Sequence, residues 1–135
     1  MYFYRKYCMN EGDGIVDSLF TLLPEDDAAT VNWGTEWRIP TFEELSELEK
    51  YCERSLTVYG AKFTAKNGNS IFLPAAGFRK GSELINASFG GVYWSSSLNK
   101  VSCISAYYLE FLKVNHAASY NVDRTIGFPV RAVLK

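Results

Sequence analysis

The sequence predicts a single α+β domain, and three observations carry that expectation. A capped amphipathic helix stands in the first half, hydrophobic alternation of period two takes over from Gly60, and the length of 135 residues suits one core. A chain of this size buries about two-thirds of the surface its unfolded form exposes, so 1–135 is expected to be one domain.

The helix is the clearest local signal. In Pro40-Thr41-Phe42-Glu43-Glu44, Thr41 is a good N-cap, and Glu44 three residues on can return the bond as a capping box. Phe42, Leu45, Leu48 and Cys52 then recur as one apolar stripe, with Glu43, Glu47, Lys50 and Glu53 mainly on the wet side. Those carboxylates form a solvated face, which offers no pocket for an acid/base pair. Upstream, the aromatic-rich segment Tyr2 to Tyr7 predicts an opening strand, and Asn10, Gly12, Asp13 and Gly14 mark a loop. The acidic trio Glu25, Asp26 and Asp27 precedes Ala28 and Ala29, where it is placed to cap a short helix. Its spacing matches no EF-hand loop.

The strands follow. Ala61, Phe63 and Ala65 alternate with Lys62, Thr64 and Lys66, and Asn67-Gly68 predicts a tight hairpin turn with positive φ angles. The return strand begins at Ser70 and is stopped by Pro74. Four more strands are expected at Gly91 to Ser96, Ser105 to Leu112, His116 to Asn121 and Phe128 to Leu134. In the second of these, Tyr107, Leu109 and Phe111 point one way and Ala106, Tyr108 and Glu110 the other, which predicts one core face and one wet face.

Charge narrows the function classes. Fourteen Lys+Arg against 15 Asp+Glu give a net charge of -1, so the positive footprint of a nucleic-acid binder is missing. No stretch approaches the roughly 20 apolar residues that span a bilayer, so membrane insertion is not expected. Cys8, Cys52 and Cys103 show no CxxC spacing, which argues against zinc; one disulfide with a leftover thiol and three buried thiols both fit. Neither a metal nor a cofactor is expected. His116 is the sole histidine, and Ser95, Ser96 or Ser97 with His116 and Asp123 lack the GxSxG elbow that would expose a nucleophile. Cys103 with His116 lacks a third, orienting group. Gly90-Gly91 reads as the bend into a strand, since no phosphate-loop helix follows. Arg38 and Arg131 sit in the apolar segments WRIP and PVRAV, where salt bridges or carbonyl contacts are expected ahead of ligand binding.

Four segments carry a family resemblance: DAATVNWGTEWRIPTFEELSEL, NGNSIFLPAAGFRKG, GVYWSSSL, and AYYLEF followed by RTIGFPVRAV. In order and wording they resemble the Fibrobacter succinogenes major paralogous domain, found in surface and secreted proteins of Bacteroides-type bacteria, over about 26–133. The resemblance implies a C-type lectin-like fold: two helices, Asp27 to Trp33 and Thr41 to Cys52, packed on a twisted, mainly antiparallel, hairpin-rich sheet. It also implies a place at the cell surface or outside the cell. The calcium-sugar motif of sugar-binding lectins has its nearest counterpart in Trp94-Ser95-Ser96, so that site is expected to be absent. Arg5 to Cys8 resembles an element that family members place after a further segment, so the opening is expected to be shortened, with Tyr2 to Tyr7 standing in.

WRIPTFEELSELE is also similar to a motif of formylglycine-generating enzymes, and GFPVRAV to their closing strand. Those enzymes bind copper through paired C-terminal cysteines. Here the C-terminal third holds Cys103 alone, and one thiol cannot form a bis-thiolate site, so the oxidase chemistry is not expected.

The expected function is therefore a non-enzymatic binding module for a protein or glycan ligand. Its site is expected among residues that the strand pattern leaves outside the core: Tyr108, Asn115, His116, Tyr120 and Asn121, flanked by Asn99 and Arg124. A structural subunit of a surface assembly is the alternative, and it implies self-association. The other aromatics, Trp33, Trp37, Phe42, Phe63, Phe72, Trp94, Tyr107, Phe111 and Phe128, are assigned to the scaffold.

Overall fold

The computed structural model describes residues 4–112 and 121–135. In chain order these form β1 (Tyr4–Cys8), β2 (Gly14–Val16), α1 (Ala28–Trp33), β3 (Trp37–Arg38), α2 (Phe42–Tyr51), β4 (Glu53–Leu56), β5 (Gly60–Thr64) and β6 (Ser70–Pro74). They continue as β7 (Phe78–Lys80), β8 (Glu83–Ile85), β9 (Gly90–Leu98), β10 (Ser105–Leu112), β11 (Asn121–Asp123) and β12 (Val133–Leu134). The described residues are α+β in architecture, with two helices and largely antiparallel strands in several small sheets.

Both helices begin where their caps predict. Asp27 accepts from the Ala29 and Thr30 amides at the start of α1, and Thr41 and Glu44 close a full capping box on α2. Glu44 also takes a two-pronged grip from Arg38, Nη1 to Oε2 at 2.7 Å and Nη2 to Oε1 at 2.6 Å. Arg38 thus makes the salt bridge its apolar setting predicted. Hydrogen bonding to Arg38, with help from the Thr41 amide, holds the Glu44 carboxyl down at about 2.

The antiparallel pair β9–β10 is the centre of the fold, with β11 on the outer edge of β10. On one side Tyr93, Leu109 and Phe111 pack with Leu45 of α2 and with Ala61, Phe63 and Leu73 of the β5–β6 hairpin. Phe111 lies over Gly91, where an added Cβ would sit 2.1 Å from its ring, so this glycine is an in-strand packing position and not merely a bend. The β5–β6 turn also departs from expectation. Gly68 alone takes a positive φ, +86°, inside the longer loop closed by the Ala65 amide on the Asn69 carbonyl at 2.8 Å.

The second face of β10 is covered, contrary to the one-wet-face expectation. Ala106 and Leu98 pack with Tyr7 of β1, and Leu19, Leu22, Leu23 and Trp94 close around them. Tyr108 is only 8% exposed, edge-on to Trp94 at 6.2 Å and to Phe128 at 5.0 Å. The pattern of one strand cannot reveal this, because much of the cover comes from residues remote in sequence: Tyr7 of β1, the segment carrying Leu19, Leu22 and Leu23, and Phe128. The disulfide between Cys8 and Cys103 ties β1 to the β9–β10 connection across 95 residues, while Cys52 is a free thiol. Of the strand expected at Phe128 to Leu134, Val133–Leu134 alone is extended into a ladder, against β3.

The Arg38–Glu44 pair sets an acid limit on stability. Because the Glu44 pKa is depressed on folding, its contribution is complete above its ordinary value of 4.5 and lost as pH falls towards about 2. Glu44 is two-fifths exposed, so screening holds the contribution to roughly 1 kcal/mol. Thermal melts should show Glu44→Gln less stable than the parent at pH 7, with the difference shrinking to nothing near pH 2.

Candidate functional site

Of the residues expected to form a late-strand site, Asn99 and Tyr108 are buried and Arg124 is half-buried. Asn99 is 5% exposed, and its Oδ1 accepts from the Val101 and Ser102 amides at 2.8 and 3.2 Å, so it folds the β9–β10 connection. Tyr108 is a core residue, as described above. Asn115, His116 and Tyr120 lie outside the described residues, and Asn121 stands in β11 opposite Tyr107. Ser95, Ser96 and Ser97 are stitching residues: Ser95 Oγ donates to the Tyr107 carbonyl at 2.7 Å, and Ser97 Oγ accepts the Phe42 amide at 3.1 Å.

Arg124 is half-buried and serves β1. Its guanidinium donates to the Lys6 and Tyr7 carbonyls at 3.1–3.3 Å and lies 4.4 Å over the Tyr4 ring. It lines a cleft of about 360 Å³ whose walls include Trp94, Leu22, Ile39 and Phe128. At its mouth Asp26 accepts from Lys6 at 2.8 Å and from the Tyr7 hydroxyl, which in turn accepts the Leu23 amide. Burial, then the bond to Asp26, pushes the Tyr7 hydroxyl up to about 12. Lys6, Asp26, the Tyr7 hydroxyl and Arg124 are thus each engaged with other parts of the protein, and the arrangement straps β1 down.

A second concavity has the opposite character. Trp33 ends α1, because Gly34 follows at φ +102°, a conformation that turns the chain out of the helix. The Trp37 amide bonds back to the Gly34 carbonyl at 3.0 Å, and Thr30 Oγ1 donates to the Trp37 carbonyl at 2.7 Å. Two indoles are thereby set edge to face, 6.2 Å apart with 76° between planes. Pairing of β3 with β12 brings segment 130–132 alongside. Trp33, Trp37, Val130, Arg131 and Ala132 line an open groove of about 560 Å³, and Leu134 stands opposite Trp37 in the ladder.

Trp33 is 60% exposed, so its assignment to the scaffold does not hold. Phe72 also departs from it, at 40% exposed. Trp33 stands one helical turn after the buried Ala29, which makes it look like a core residue in the sequence. The helix ends at Trp33, and no further turn covers the indole. The signal within the sequence was Gly34, which stops the helix between the two tryptophans. Arg131 differs from expectation as well: it is exposed and, among the described residues, makes no hydrogen bond or ion pair.

No protein family model matches the chain, and neither a curated protein nor a solved structure is significantly similar to it. Among the described residues no group of three or more His, Cys, Asp or Glu side chains could hold a metal ion. No described helix is long and apolar enough to cross a membrane.

If Arg124 is a strap, its loss should act on β1 first. Arg124→Ala should cost about 2 kcal/mol, the scale of hydrogen bonds from a charged donor. Hydrogen exchange should then show the 4–8 amides losing protection ahead of those in β9 and β10.

Proposed function

We propose that the protein is a non-enzymatic, C-type lectin-like binding module acting outside the cytoplasm, and that the Trp33–Trp37 groove is its glycan-contact site. The observation that carries this reading is the exposure of Trp33 beside a half-exposed Trp37 on a fixed backbone. Exposed indoles are costly to leave in water, and their electron-rich faces suit the C–H faces of sugar rings. The groove's volume falls in the range of about 300–1,000 Å³ typical of small-ligand sites. A stable protein interface would need about 800 Å² from each partner, which favours a short glycan over a protein surface.

The lectin-like fold is supported by the order of elements: two helices, then hairpins, then a last strand returning to pair beside the start of α2. The disulfide between Cys8 and Cys103 supports an oxidising compartment. The same bond occupies Cys103, the one thiol that the oxidase resemblance could have used for copper.

The test is a glycan array followed by titration of any hit with two variants. Trp33→Ala should lower affinity about tenfold or more, as loss of a contact tryptophan does, while the melting temperature stays nearly unchanged. Trp94→Phe, placed in the other cleft, should bind as the parent does. Sedimentation of the same samples should show a monomer. A stable oligomer with no glycan bound would favour the structural-subunit role, and unchanged affinity in Trp33→Ala would remove the groove as the site.

A further inference from the structure

Arg131 gives the groove a chemical preference. Among the described residues it is the sole charged residue lining the site, and no carboxylate lines it. It makes no hydrogen bond, ion pair or ring contact among the described residues, in contrast to Arg38 and Arg124, and its one interaction is a through-space attraction to the Tyr93 hydroxyl. Its backbone is held on both sides, by the Trp94 amide on the Pro129 carbonyl at 3.2 Å and by the pairing of Val133 with Arg38. A planar five-donor fork, unpaired and on a fixed backbone, is matched by the two oxygens of a carboxylate.

An aromatic pair alone would also suit a quaternary ammonium or a methylated lysine, through attraction of the cation to the ring faces. The Arg131 charge opposes that: it repels cations from a groove in which no described residue supplies an anion to offset it. A neutral sugar would use the indoles and leave the guanidinium to water. A sugar carrying a carboxylate uses both.

We infer that the groove selects acidic sugars, with the carboxylate of a uronate residue on Arg131 and the apolar face of its ring on an indole. This rests on the glycan reading above and narrows it to one substrate class. The groove takes a few sugar units at most, so an internal or terminal uronate in a short oligomer is sufficient. Because the carboxylate stays partly wet, the contact is sensitive to salt.

The probes are tetramers of galacturonate, glucuronate and mannuronate, each with its fully methyl-esterified counterpart, titrated by calorimetry against the whole chain. At least one acid should bind about tenfold more tightly than its ester, the scale of a charge-assisted hydrogen bond pair. In Arg131→Gln the acid should fall to the affinity of the ester, and the ester should be unaffected. Raising the salt from about 0.05 to 0.5 M should weaken the acid and not the ester. Acid and ester binding equally well would overturn the preference for uronates and leave the glycan site intact. If no acid or ester binds while a neutral glycan does, the preference is likewise overturned. If no glycan of any kind binds, the reading of the groove as a glycan site falls with it. Arg131 is exposed, so Arg131→Gln should keep its circular dichroism spectrum; Trp33→Ala, which should lose acid and ester alike, is the independent check.

Discussion

Asp27 is the carboxylate on which the geometry of the first half depends. It is 3% exposed, and both oxygens are used: Oδ1 accepts from Ala29 and Thr30 at 2.9 and 3.1 Å, and Oδ2 accepts from the Ile39 amide at 2.9 Å. One side chain therefore starts α1 and fixes the strand that leads into α2. A buried charge left without such donors would cost several kcal/mol, so the three amides and the carboxylate require one another. Between the two anchored points the chain has few ways to run. It must turn at Gly34 and present Trp33 and Trp37 on the same side, and β3 then receives β12, which brings Arg131 beside them.

The two concavities differ in what their polar groups are doing. In the cleft beside β1, Arg124, Asp26 and Tyr7 are bound to other parts of the chain, and together with the disulfide they keep the N-terminal strand on the second face of the central sheet. That face needs cover because Ala106, Leu98 and Tyr108 would otherwise meet water. In the groove, the two indoles touch each other but Trp33 stays largely exposed, and Arg131 makes no hydrogen bond or ion pair among the described residues. Polar groups satisfied within the fold describe stability, and groups held in place but unsatisfied describe contact with something else.

What could be read from the sequence was decided locally. The capping box at Thr41, the acidic cap before Ala28 and the alternation through Ala61 and Phe63 depend on neighbours within a few residues, and each stands where expected. The errors have two causes. The second face of β10, the burial of Tyr108 and the role of Gly91 are set by residues remote in the chain, such as β1, the loop carrying Phe128, and Phe111. The Gly68 turn, the end of α1 at Trp33 and the fold of Asn99 onto Val101 and Ser102, by contrast, are local geometry that residue types alone did not specify. Cysteine spacing likewise held no preference for Cys8 with Cys103, which becomes evident once β1 lies beside the β9–β10 connection. Of the candidate site, the aromatic and arginine residues were visible as types, but which of them reach water depended on where α1 stops.

The chain contains three tryptophans, and they divide between the two concavities: Trp33 and Trp37 line the groove, and Trp94 lines the cleft. Their indole N–H resonances in a 15N-labelled sample therefore report on both sites at once. On titration with an oligogalacturonate or another bound glycan, the account predicts that the Trp33 and Trp37 resonances move while that of Trp94 stays. Movement of Trp94 alone, with the other two fixed, would contradict it.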